Sequence, residues 1–119
     1  MLRVLRFVRS LPGCENACVL KAQAETAVRE TYRIVGDVQI THEDYTSGRL
    51  FDDAVSYSFY PIDLHDRDGV KPKPLSQGTV ATVSLGALIP KDSRNLLVAG
   101  RSVSSDRLAN SALRVQASS

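Results

Sequence analysis

Apolar positions along the chain change period several times, and each change marks an element. Over Leu2–Leu11, at 100° per residue, Arg3, Arg6 and Arg9 fall on one side and Leu2, Leu5, Val8 and Leu11 on the other. That spacing predicts an amphipathic helix packed on a core with its arginines in water, halted by Pro12-Gly13. Ala17–Ala22 and the β-branched run Thr31–Val35 read as short strands, the second closed by a Gly36-Asp37 turn. Thr41 and Asp44 have capping-box spacing, which predicts a short helix beginning near His42 and ending at Gly48. Ala54–Tyr60 alternates as a strand until Pro61 restricts it, and Asp66–Gly69 with Lys71–Pro74 reads as an exposed loop. Thr79–Val83 is a further extended segment, and Leu96–Ala99 a closing strand that ends at Gly100-Arg101. A polar loop follows, then a helix-like pattern from Ser111. Together these predict an α+β fold: an N-terminal helix, a small, mainly antiparallel sheet of short strands and a short C-terminal helix.

Composition narrows the class. The 119 residues, 43% of them hydrophobic, can bury one modest core, so residues 1–119 are expected to form a single domain. A net charge of +2 with 24% charged residues is nearly balanced, which argues against nucleic acid as a partner. No apolar run approaches the ~20 residues of a membrane span. The N-terminal run is too broken by arginines to be a signal peptide, so a cytoplasmic setting is expected. A basic amphipathic helix that binds a membrane or nucleic acid is the weaker alternative. Cys14 and Cys18 lack the further ligands that a zinc site requires, so reduced thiols and no metal are expected.

No self-sufficient catalytic set is visible. His42 falls on the first turn of its expected helix. His65 follows "YPID" and reads either as a hydrogen-bonding loop histidine or as a substrate contact. Neither G-x-G-x-x-G nor G-x-x-x-x-G-K-[ST] occurs, so the chain contains neither of the usual phosphate cradles. Taken alone, "LLVAG" is an ordinary buried strand ended by a glycine.

Four linked blocks give the chain a family likeness: "RETYRIVG" (29–36), "SGRLFDDAVSYSFYPIDLH" (47–65), "ALIPKDSRNLLVAGRSVSSD" (87–106) and "SALRVQ" (111–116). In order and spacing, from about Leu11 onward, they resemble the C-terminal portion of FAD-dependent oxidoreductases. The resemblance implies FAD as cofactor, hydride transfer to or from a small organic substrate, and a Rossmann-type nucleotide-binding half that this sequence lacks. Residue by residue, it implies that Gly100, Arg101 and Ser102 line the FAD ribityl or pyrophosphate and that Asn110, Ser111 and Leu113 sit near the isoalloxazine ring. Arg114 resembles the family's helix arginine, a contact for flavin or an anionic substrate, and with His65 it is the catalytic candidate. Where family members often carry a glycine before the helix, this chain has Ser111. Without its nucleotide-binding half the chain is expected to be inactive, to retain no FAD and to self-associate, most simply as a two-fold dimer. The rival reading is a non-catalytic binding or assembly module derived from a flavoprotein.

Overall fold

Capping chemistry, rather than length, holds the helices. In the computed structural model, which describes residues 2–25, 32–66, 69–70 and 72–115, α2 spans His42–Ser47 behind a complete capping box. The Thr41 hydroxyl accepts from the Asp44 amide at 3.1 Å, and the Thr41 amide donates to Asp44 Oδ2 at 3.0 Å. Gly48 ends the helix at φ 70°, and a Cβ there would stand 2.8 Å from Thr79 Cγ2. Glycine is therefore required twice over, by conformation and by space. From the middle of α2 the buried Tyr45 reaches across the fold, its hydroxyl donating to Tyr60 O at 2.8 Å and pairing with Ser58 Oγ at 2.8 Å.

β1 (Ala54–Ser58) and β4 (Ala81–Ser84) form an antiparallel pair with a bulge between Ala54 and Ser56. All four residues of β4 are buried. β1 runs against the usual assignment of faces: Ser58 is buried on Tyr45, while Val55, Tyr57 and then Phe59 point outward, the last 72% exposed. The tip strands β2 (His65–Asp66) and β3 (Gly69–Val70) pair antiparallel. Asp66 and Gly69 thus pair where an exposed loop is expected over Asp66–Gly69, while Arg67 and Asp68 lie outside the described residues. The base of the pair is the Ile62–Lys73 bridge, with both backbone hydrogen bonds at 2.9 Å.

Small residues close the centre. A Cβ on Gly36 would meet Gly86 O and Ser104 Cβ at 2.8 Å, and Ser104 Oγ accepts from the Gly36 amide at 3.0 Å. Ile40, Tyr45, Val83, Val103 and Leu113 form the core with Ala81, Ala87, Ala109 and Ala112.

Five expected elements differ. The helix over Leu2–Leu11 exists as α1 (Leu2–Arg9), yet it buries no residue, and Leu2 and Phe7 stand 71% and 64% exposed. Residues 17–22 form no strand, since no neighbouring strand pairs with them among the described residues. Of the strand expected over 31–35, Thr31 lies outside the described residues. Ile34 and Val35 engage only in single backbone bonds, to Ser102 and Lys91. Leu96–Ala99 is likewise extended but unassigned to a sheet, with Val98 donating to Leu88 O at 2.8 Å and Leu96 and Leu97 exposed. The C-terminal helix, α3 (Arg107–Leu113), starts four residues before Ser111.

Candidate functional site

The residues nominated for cofactor contact converge on α3 and on the 3-10 turn that precedes it. Asp106 is the N-cap: Oδ1 accepts from the Ala109 amide at 2.8 Å, while Oδ2 accepts from the His42 amide at 2.5 Å. One carboxylate thus satisfies the first amides of two helices and fixes α3 against α2. Asp before "RLANSAL" is an N-cap signal that a reading of the helix from Ser111 passes over.

Behind this cap, α3 is buried from Ala109 through Leu113. Small side chains make that possible, because Ala109, Ser111 and Ala112 let the helix approach its neighbours closely. Asn110 donates from Nδ2 to Arg101 O and to Ser105 Oγ, both at 3.2 Å, and its Oδ1 is buried without a hydrogen-bond partner. Ser111 Oγ donates to Leu108 O at 2.7 Å and accepts from the Asp63 amide at 3.1 Å. Leu113 is 1% exposed in the core.

The 3-10 turn Gly100–Ser102 lies at the surface end of this arrangement. Gly100 has φ 76°, a left-handed conformation that a side chain would resist. The carbonyl of Arg101 is held by Asn110, and that of Ser102 accepts from the Ile34 amide at 3.0 Å. The turn's backbone is therefore fixed from behind by a buried amide side chain. Gly100, Arg101 and Ser102 thus share one glycine-led turn.

Arg114 and Asp63 form the second feature. The guanidinium Nη2 donates to Asp63 O at 3.1 Å and stands 3.9 Å from Asp63 Oδ2, with the Arg114 side chain 6% exposed. Together with Ser111, Arg114 grips Asp63 at its amide, its carbonyl and its carboxylate. His65 follows two residues later on β2, its backbone paired with Val70. The structure so brings Arg114, Ser111 and the "YPID" run together, and the His65 side chain lies outside the described part. Asp63 and Asp106 are the residues that the sequence reading missed. Asp106 carries the local N-cap signal, while that of Asp63 is weak, a carboxylate in a mixed run whose partners lie about fifty positions away in the chain.

Charges elsewhere are locally satisfied. Partial burial pushes the Asp44 carboxyl up, but hydrogen bonds from Arg49 and Thr41 and the Arg49 charge, 2.8 Å away, outweigh it and hold the group below the ordinary carboxylate range. Asp53 is lowered by the Gly86 amide at 2.8 Å and the Ser84 hydroxyl at 2.7 Å. Burial raises the Tyr45 phenol against the opposing bonds with Ser58 and Tyr60. Cys14 and Cys18 are free, and no group of three metal-ligating side chains occurs among the described residues. No helix among them is long and apolar enough to cross a membrane.

Compared with known proteins, the chain matches one family model, described as FAD dependent oxidoreductase, over residues 1–119. No curated protein and no solved structure gives a significant match.

Proposed function

Because the chain belongs to the FAD dependent oxidoreductase family, we propose that it supplies the flavin-closing and substrate-side part of such an enzyme and works only with a nucleotide-binding unit. When bound, FAD supplies hydride transfer to or from a small organic substrate. This chain's residues bind and orient. Gly100, Arg101 and Ser102 present backbone to the ribityl or pyrophosphate, and Asn110 holds the Arg101 carbonyl in place. Ser111 and Leu113, with Asn110, form the packed wall near the isoalloxazine ring. Arg114 acts as a positioning residue that fixes Asp63 and, through it, the strand bearing His65, the remaining catalytic candidate.

One observation carries the dependence on a second unit: the inverted face of β1. Val55, Tyr57 and Phe59 are 51%, 69% and 72% exposed while serines of the same strand face inward. An apolar face of that kind is a contact surface. The chain's dimensions agree. Its radius of gyration is 18.4 Å, against about 13–14 Å for a compact domain of this length. Its accessible surface is 8996 Å², against about 6,300 Å² for a monomer of this mass. The difference exceeds the ~800 Å² per partner of a standard interface.

Without the nucleotide-binding unit the same face pairs with a second copy, giving a two-fold dimer. The isolated chain is inactive, and with two reduced thiols it belongs in the cytoplasm. Sedimentation equilibrium of the wild-type chain and of Tyr57→Lys tests the surface. The reading expects a dimer that the lysine converts to monomer with an unchanged far-UV spectrum. A monomer in both, or a dimer in both, counts against it.

A further inference from the structure

A second cleft, on the side of α2, has no role in the flavin-side reading. It encloses about 300 Å³ between His42 on α2, Ile62, and the run Lys73–Ser76 that returns from the β2–β3 hairpin, the lower end of the size range for small-ligand sites. Its walls are apolar: Ile62, 3% exposed, Pro74 and Leu75. Lys73 lines the cleft, and its backbone is tied to Ile62 by the two 2.9 Å bonds. His42 is anchored through its amide on Asp106, and its Nδ1 is buried with no hydrogen-bond partner.

The lining combines the Lys73 and His42 side chains and the Thr46 and Ser76 hydroxyls with the aliphatic Ile62, Pro74 and Leu75, and among the described residues no carboxylate lines it. A neutral apolar ligand would leave the donors unused, and a cation would meet Lys73. A bare inorganic anion would leave the walls uncovered. We propose that this cleft binds a small organic anion, a carboxylate on a short aliphatic body, with Lys73 and Ser76 holding the carboxylate and Ile62 and Leu75 covering the chain. The site needs no flavin and stands apart from the reading of Gly100–Ser102.

The test is an NMR titration of the full chain, following the His42 Cε1–H signal, identified by its loss in His42→Gln. Sodium hexanoate should shift it saturably in the millimolar range, and hexylammonium should not. Lys73→Met should weaken hexanoate binding about tenfold with an unchanged fold, while Lys73→Arg keeps it within about threefold. Equal responses to hexanoate and hexylammonium, an unaltered affinity in Lys73→Met, inorganic phosphate binding as tightly as hexanoate, or no saturation by about 50 mM would each overturn the proposal.

Discussion

α3 and α1 differ by one residue in length and have opposite fates. α3 is capped by Asp106 and buried from Ala109 to Leu113, whereas α1 has a sharply amphipathic pattern and buries nothing. Amphipathicity states which side of a helix would be covered; only neighbouring chain determines whether it is. α3 has small residues that admit its neighbours, and its Asn110 and Ser111 side chains hydrogen-bond across the fold. α1 is tied only to the segment directly after it, by the bonds of Ser10 and Leu11 to Phe7 O and Val8 O and by the 2.7 Å bond from Arg9 to Ala17 O. An eight-residue helix is marginal by itself in water, so α1 and the outward face of β1 share one condition: apolar surface whose cover is not in the described residues.

That contrast can be broken by substitution. Leu113→Ala opens a cavity beneath α3 and should cost about 3 kcal/mol, read as a lower midpoint in urea. Arg114→Met removes the guanidinium that donates to Asp63 O and pairs with the Asp63 carboxylate, at about 2 kcal/mol. Arg114→Lys should recover part of that loss. Thr41→Ala deletes the α2 cap hydroxyl and should cost about 1 kcal/mol; an unmoved midpoint would remove α2's capping box from the account. Phe7→Ala on α1 should change stability by less than about 0.5 kcal/mol. A loss as large as that of Leu113→Ala would place α1 in the core after all.

Acid sharpens the same picture. Asp44 and Asp53 have folded-state values below the ordinary carboxylate value of 3.8. Their stabilisation is therefore complete above that value and is lost as pH falls through the lower folded ones. The urea midpoint should drop on acidification from about pH 4 downward, and Asp53→Asn should flatten the drop. Tyr45 acts at the other end: its raised phenol favours the fold below the ordinary tyrosine value of 10.0 and loses that contribution as pH rises past it.

Sequence reading succeeded where the signal was local. The Thr41–Asp44 capping box, the Gly48 stop and the β1 strand depend on neighbours within a few positions, and all are present. It failed where partners are distant. Leu96–Ala99 has the residues of a strand but no strand beside it among the described residues, and Asp66 pairs with Gly69 despite the loop-like composition around them. The inversion of β1 was invisible because alternation gives two faces without saying which one is covered. In the site, Asp106 was legible as an N-cap three residues before Ala109, whereas Asp63, held by Ser111 and Arg114 about fifty positions away, is recognisable only once the chain has folded.

The central claim is that this chain contacts flavin only in company with a nucleotide-binding unit. FAD titration, followed by its fluorescence, addresses it directly when run on three samples: the chain alone, a separately expressed G-x-G-x-x-G unit of the same family, and the two mixed. The account predicts no saturable binding to the chain alone and binding by the mixture about tenfold or more tighter than by the nucleotide-binding unit. Stoichiometric binding to the chain alone, or a mixture no tighter than the nucleotide-binding unit by itself, would contradict it.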